Sequence, residues 1–346
     1  MVLSFINKYL GWRNWAVLHY NSIFENLFLV FFIVGLSAEF SGSALLNCSL
    51  FLLLSMIATS FGYLINDFSD RKLDREHGKA NTFENDSTGK AVAVLSIFGV
   101  ATLLLAVPFL KNKYFLILFI LWFIVALQYS LPPGRFKERG VSGLILVSMA
   151  QRLLPVWMLL TLFLVNDPIL IILISVYIML RGLTSDLNHQ LQDFEHDRET
   201  GTMTSVVRQG HKSMMKTFSV LLELERIALI IFLLKSALTL EGRASFNYVL
   251  YAASAIYGVI FLWAEIIRWR SELSEIGQWN PYTEKNVFQF VQLVFPNIIL
   301  PLLLLFYLVW HNFLYAFFFL FYFFIFKLYD PVTIKNSFLG RLLKIN

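Results

Sequence analysis

Two runs of carboxylates carry the chemistry open to this sequence. The first is Asn66-Asp67-Phe68-Ser69-Asp70-Arg71-Lys72-Leu73-Asp74. Continued as helix, positions 67, 70 and 74 share one face, with Asn66 one turn from Asp70. The second is Asp186, Gln190, Asp193 and Asp197, spaced four, three and four, again one helical face. Like charges at these spacings repel and Asp is a poor helix former, so each stripe destabilises its own helix until a cation sits on it. Oxygen-only ligands suit magnesium, which keeps several waters and bridges carboxylates to phosphate oxygens. The ligand this predicts is a diphosphate. An ordinary loop also collects acids and bases, and either stripe alone is open to that reading. Two stripes, each in register at the end of an apolar helix, are not explained by it.

Cations stand near both stripes. Tyr129-Ser130-Leu131-Pro132-Pro133-Gly134-Arg135-Phe136-Lys137-Glu138-Arg139-Gly140 follows an apolar run; the prolines end the helix, and Arg135, Lys137 and Arg139 alternate behind them, placed to meet phosphate oxygens. Lys79, in Gly78-Lys79-Ala80-Asn81, is a similar candidate. On the charges alone, a plain basic loop is the preferred reading of both.

The elements that position these groups are membrane helices. Of 346 residues, 58% are hydrophobic and 15% charged, where soluble domains carry about 25% charged. Apolar runs of bilayer-crossing length, roughly 20 residues, recur along the chain and predict one all-α membrane domain over residues 1–346. Ten spans are expected: 16–38, 45–65, 91–110, 113–130, 141–165, 168–188, 213–238, 246–268, 287–308 and 311–329. The last two are divided at Trp310-His311-Asn312. The Lys and Arg residues test this count. Only Lys111, Lys113, Lys235 and Arg243 fall in the odd loops, and Arg152, Arg181 and Arg226 fall inside spans; the rest gather on the other side. The positive-inside rule then puts both termini and both acidic stripes on the cytoplasmic face, as in a bacterial inner membrane or its equivalent. Met1–Trp12 lacks the pattern of a removable leader. Cys48 is the sole cysteine, so disulfides within the chain and thiolate metal sites are excluded. The net charge of +5 reads as a topology signal, not as a sign of nucleic-acid binding.

With these motifs in place, the sequence resembles the UbiA superfamily of intramembrane prenyltransferases. The first stripe is similar to that family's Asn-Asp-x-x-Asp-x-x-x-Asp pattern. The second, with Asp197-Arg198-Glu199-Thr200-Gly201-Thr202-Met203-Thr204, resembles its later aspartate motif, and Tyr-Ser-Leu-Pro-Pro-Gly-Arg-Phe-Lys resembles the loop between them. The resemblance covers about residues 10–310 and leaves an added Phe-rich helix at about 311–329. It implies a bundle of nine to ten transmembrane helices around a central cavity that is open sideways to lipid. By the same resemblance, Asn66, Asp67, Asp70, Asp74, Asp193 and Asp197 would hold Mg2+ and diphosphate, and Asp186 and Gln190 would line the pocket. Arg135, Lys137 and Lys79 would neutralise the diphosphate, and Tyr129 would face the reacting allylic carbon. Gly-Lys-Ala-Asn stands where several quinone-pathway members have Arg-Thr-x-x-Arg-Pro, which weighs against a 4-hydroxybenzoate-type acceptor.

The expected partners are a polyprenyl diphosphate, a small-molecule acceptor and membrane lipid. Breaking an allylic C–O bond is easier when the leaving diphosphate is neutralised, and burial protects the allylic cation from water. An aromatic or quinone-precursor-like acceptor is favoured as the superfamily's commonest class; a sugar phosphate, glycerol lipid, haem or chlorin remains open. His19, Asn21, Glu25 and His189 are read either as acceptor contacts or as helix-to-helix hydrogen bonds. Glu223 and Arg226 are expected to pair. A metal or anionic-lipid transporter is the rival class, but its ligands would sit near mid-membrane in interrupted helices.

Overall fold

The computed structural model describes residues 2–11, 21–239, 244–270, 280–283, 286–325 and 335. The described residues form helices and connecting turns, with no strand. Among the described residues, helices fall within each expected span, and seven are long and apolar enough to cross a membrane: Gly42–Glu76, Thr88–Phe109, Lys113–Ser130, Val141–Leu162, Pro168–Gln192, Ser245–Arg270 and Val287–His311. The shortfall from nine or ten has visible causes. Leu27–Ser37 and Phe317–Ile325 are short as described, and His211–Thr239 carries Glu223, Glu225, Arg226 and Lys235 in its apolar stretch.

Local chemistry sets the ends of these helices. Ser87 accepts a hydrogen bond from the Lys90 amide, Asn112 from the Tyr114 and Phe115 amides, and Asp167 from the Ile169 and Leu170 amides, so each satisfies backbone donors left open at a first turn. Lys113–Ser130 stops before the Pro132-Pro133 pair, whose peptide is cis. Gly134 follows where no side chain fits: a Cβ there would lie 2.1 Å from Gln128 Oε1.

Contacts divide the chain into two compact units. The first comprises residues 1–25, 47–164 and 181–218 and contains both acidic stripes. In it, Val141–Leu162 is interrupted by a π-helical turn, Met149–Leu153, in which the Leu154 amide reaches back to the Met149 carbonyl. Pro155 explains the wide turn, because it has no N–H to offer Gln151. Gly182 lets the Pro168–Gln192 helix close onto this one: a Cβ there would stand 2.9 Å from Ser148 Cβ and 3.0 Å from Arg152 Cγ. Gly182→Ala is therefore expected to cost about 1–3 kcal/mol through overpacking. Thermal unfolding in detergent checks this, with Gly258→Ala, whose Cβ would sit 3.6 Å from Ile230 Cδ1, as a control that leaves the melting temperature near wild type.

The second unit comprises residues 26–46, 165–180 and 219–346. Leu27–Ser37, buried along most of its length, packs on Leu300–His311, and Phe32 meets Phe232 and Phe246. The expected Glu223–Arg226 pair is present at 3.1 Å and belongs to a larger cluster. Arg226 Nε donates to Gln292 Oε1 at 2.8 Å, and Arg268 pairs with Glu223 and with Glu265. The polar break forms as expected: the helix ends at His311, Asn312 donates to the Phe40 carbonyl at 2.6 Å, and a 3-10 turn, Phe313–Ala316, leads into Phe317–Ile325.

Candidate active site

The first unit encloses a cavity of about 650 Å³. Along Gly42–Glu76 it is lined by Phe51, Ser55, Thr59, Gly62, Tyr63, Asn66 and Asp70 among others, a stripe of three- and four-residue steps. From Phe51 to Asp70 that stripe extends about 28 Å at 1.5 Å per residue. Its inner end is apolar, with Phe51, Leu54, Phe119, Trp122 and Met158; its outer end holds the carboxylates and cations.

The first acidic stripe is split between two tasks. At about 100° per residue, Asn66 and Asp70 fall within about 40° of one another, and Asp67 and Asp74 within about 20° on a neighbouring line. Asn66 and Asp70 line the cavity. Asp67 and Asp74 face the following loop instead. Asp67 Oδ2 accepts from the Thr82 amide at 3.2 Å and from the Thr82 hydroxyl at 2.5 Å, and Asp74 Oδ2 accepts from Asn81 Nδ2 at 2.6 Å. Both are buried, and neither is among the cavity-lining residues. Of the four residues expected at magnesium, Asn66 and Asp70 line the cavity, while Asp67 and Asp74 hydrogen-bond to the loop that carries Lys79.

That loop has a second anchor. Asp86 accepts from Lys8 Nζ at 2.6 Å and Tyr9 Oη at 2.8 Å and pairs with Lys90 at 2.7 Å, tying the Val2–Tyr9 helix to residues 79–86. Burial alone would raise the Asp86 pKa, but the hydrogen bonds from Lys8, Lys90 and Tyr9 outweigh it and hold the carboxyl down at about 2. A folded pKa below the unfolded value of about 3.9 stabilises above pH 4, and that contribution is lost as pH falls toward 2. Because Lys90 is exposed and Lys8 partly so, Asp86→Asn is expected to cost only on the order of 1 kcal/mol. It should speed proteolysis after Lys8 at neutral pH; an unchanged cleavage rate counts against the anchor.

Lys137 carries the charge nearest the first stripe. Its side chain, 11% exposed, pairs with Asp70 and donates to Asn66 Oδ1 at 3.1 Å and Ser69 Oγ at 3.0 Å. Burial lowers its pKa, while Asp70 acts in the opposite sense. Arg135, in the left-handed region at φ 41°, reaches Asp70 at 3.3 Å and Glu138 at 2.6 Å but is not among the lining residues. Ser130 donates to Asn66 at 3.3 Å.

All of the second stripe lines the cavity: Asp186, Gln190, Asp193 and Asp197. The helix breaks at Asp193, between Pro168–Gln192 and Phe194–Glu199. Gln190 Oε1 accepts from the Ser205 amide at 3.0 Å, and Asp186 Oδ2 accepts from Ser148 at 3.2 Å. Burial first, and the charge of Asp193 second, raise the Asp197 pKa to about 6, against Thr204 and Lys79, which lower it. Tyr129 lies within electrostatic reach of Asp186, Asp70 and Asp197.

Sequence reasoning missed Tyr63, Gln151, Ser185, Thr202 and Thr204 in the wall and gave Arg152 no place there. The available signal was Gln151-Arg152 inside an apolar run just before Pro155. Asn21 forms helix-to-helix bonds with Ser55 and Thr59, Glu25 pairs with Arg152, and His189 lines the cavity. His19 lies outside the described residues.

Among the described residues no three His, Cys, Asp or Glu side chains form a ready metal cage. Magnesium does not require one, since one or two carboxylates with waters and substrate phosphate complete its shell. Asn66 and Asp70 from one helix, Asp193 at a helix break and Asp197 just beyond it supply oxygen donors to one cavity, a set that fits the ion.

Comparison with known proteins gives the family and the fold. A family model described as the UbiA prenyltransferase family matches residues 28–276. No curated protein matches the sequence. Solved structures share the fold. A UbiA homolog from Archaeoglobus fulgidus bound to DMAPP and Mg2+ has a TM-score of 0.54 and 19% identity, covering 82% of this chain and 98% of that one. The same homolog bound to GPP and Mg2+ gives 0.52 and 19%, with the same coverage. A digeranylgeranylglyceryl phosphate synthase structure gives 0.54 and 14%, covering 89% and 97%. Membrane-length helices carrying paired acidic stripes, and a family match over well more than half of the sequence, lead to one conclusion: this chain belongs to the UbiA prenyltransferase family and is an intramembrane prenyltransferase.

Proposed function

We propose that the protein moves a polyprenyl group from its diphosphate to a small aromatic or quinone-precursor-like acceptor, with Mg2+ held by Asn66, Asp70, Asp193 and Asp197. One observation carries this reading: two acidic helices and the cation Lys137 line one end of a cavity whose other end is apolar. The prenyl diphosphates and Mg2+ bound by the A. fulgidus homolog support the donor class. Bound magnesium supplies electrostatic stabilisation of the departing diphosphate. Lys137 and Lys79 add two positive charges to the same end, where partial exclusion of water strengthens them. Arg135 acts from behind Asp70. Phe51, Leu54, Phe119, Trp122 and Met158 take the isoprenoid tail and keep water from the allylic cation. Tyr129 presents its ring and hydroxyl to the reacting carbon. Both acidic stripes and both termini face the cytoplasm, a reading supported by the distribution of Lys and Arg.

The test is magnesium-dependent release of diphosphate by purified protein in lipid, from donors of increasing length and with a panel of acceptors. Release that needs magnesium and rises with one acceptor class is the expected result. Acceleration by a glycerol phosphate ether instead would favour the chemistry of the digeranylgeranylglyceryl phosphate synthase that shares the fold. Absence of both binding and release across the panel would remove these substrates.

A further inference from the structure

One arginine outside the cavity reaches two of the segments that line it. Arg208 is exposed and sits on a short helix, Ser205–Gln209, that follows the second acidic stripe. Its Nε donates to the Met203 carbonyl at 3.1 Å, and its Nη2 donates to the Glu138 carbonyl at 2.9 Å. The first bond is local and fixes the guanidinium. The second crosses 70 positions of the chain to the loop that carries Lys137.

Both ends of this link are themselves held. On one side, the Thr202 amide donates to the Asp197 carbonyl at 2.8 Å and the Ser205 amide to Gln190 Oε1 at 3.0 Å, and Ser205 and Val206 are fully buried. The segment bearing Arg208 is thus tied to the second stripe. On the other side, Phe136–Glu138 forms a 3-10 turn against which the Val141–Ser148 helix presses: a Cβ on Gly143 would stand 2.2 Å from the Phe136 carbonyl oxygen and 3.3 Å from Lys137 Cα. Gly140 makes room for the stem of the arginine. Its φ of 63° lies in the left-handed region, and a Cβ there would come within 2.8 Å of Arg208 Cδ.

The reaction as described gives Lys137 a charge but not a place. A lysine ammonium is a point charge on a flexible stem, and its value to a leaving diphosphate depends on a position set in advance. The bonds of Lys137 to Asn66 and Asp70 do not set that position once magnesium takes those two groups. The hold on its backbone remains.

Resting on the prenyl-transfer reading above, we infer that Arg208 is a positioning residue: by bridging Met203 and Glu138 it ties the Lys137 loop to the segment of Asp193 and Asp197, so that this cation and the second set of carboxylates meet the diphosphate as one unit. Arg208 itself is not among the lining residues of the cavity. Its planar guanidinium serves two carbonyls at once in a fixed geometry, which an ammonium does not reproduce.

The experiment compares wild type, Arg208→Met, Arg208→Lys, Lys137→Met and the double variant Arg208→Met with Lys137→Met, in lipid with geranyl diphosphate and magnesium. It reads kcat and KM for diphosphate release, donor binding, melting temperature, and tryptic cleavage within residues 135–139. Arg208→Met is expected to lower kcat by about tenfold, inside the roughly 10²-fold that a misplacement of about 1 Å can cost. The KM for the donor and the melting temperature should stay near wild type, and the loop should be cleaved faster. Arg208→Lys keeps the charge and should stay within about threefold of Arg208→Met. In the Lys137→Met background the arginine change should add about twofold or less, because both act through one group. A full additional loss in the double variant makes Arg208 structural, and full recovery in Arg208→Lys makes it a plain charge; either overturns the assignment. A wild type that neither binds the donor nor releases diphosphate falls on the prenyl-transfer reading itself. The clamp is then judged by cleavage alone, and equal rates for wild type and Arg208→Met overturn it.

Discussion

Asp70→Ala and Asp193→Ala are each expected to lower kcat/KM for magnesium-dependent diphosphate release by at least 10²–10³, whereas Asp67→Asn should retain most of the magnesium affinity. The loss in the first pair follows from electrostatics: removing one group that stabilises developing charge in a water-poor site costs about 3–4 kcal/mol. Both side chains line the cavity, from different helices, so neither replaces the other. Asp67 belongs to the same sequence motif, but its carboxylate is taken by Thr82. Its replacement should act on the loop, shown by faster proteolysis near residues 79–86 and a lowered melting temperature. A magnesium titration of the three variants separates the outcomes. An affinity loss for Asp67→Asn as large as that for Asp70→Ala would return Asp67 to the metal-binding set.

The second large effect is expected at Lys137. Its ammonium sits on Asp70 and Asn66, the donors assigned to magnesium. Magnesium arriving alone has to displace a buried cation with nowhere favourable to go; magnesium arriving with a diphosphate offers that cation a new anion. The two ligands should therefore bind cooperatively, with geranyl diphosphate raising the apparent magnesium affinity by a factor within the roughly 5–150-fold range typical of site coupling. Lys137→Met removes the competitor. It is expected to tighten magnesium binding in the absence of donor, abolish most of the coupling, and slow transfer by about 10² because a charge on the leaving group is lost. Calorimetric magnesium titrations with and without donor measure this. Coupling that survives in Lys137→Met would place its origin elsewhere.

How much of this was legible in the sequence depends on how local the deciding physics is. The acidic stripes were readable because helical periodicity is a property of spacing alone, and Gly42–Glu76 and Pro168–Gln192 are indeed helical through or up to them. The orientation of Asp67 and Asp74 was not read, because it depends on Asn81 and Thr82 folding back over the helix. The span predicted at 141–165 falls in the right place but hides a π-helical turn; Pro155 marks it only once the missing N–H is followed to Gln151. Tyr63 and Ser185 carry no spacing signal of their own, and only the packing of several helices shows that they share a cavity. Gly182 likewise acquires meaning from Ser148 and Arg152, thirty or more residues away in sequence.

The clasp around residues 79–86 also bears on the order of synthesis. Its partners are Lys8, Tyr9, Asp67, Arg71, Asp74, Arg75 and Lys90, all in the first quarter or so of the chain. Nothing in that clasp waits for the second acidic stripe. At roughly 5–20 residues per second, with N-terminal parts folding first, the segment from Lys90 to Asp193 takes on the order of ten seconds to make. For that interval the ribosome-bound chain already owns the first wall of its cavity, about a third of the lining, with the adjoining loop pinned by three salt-linked side chains, so the later helix is received by a preformed surface.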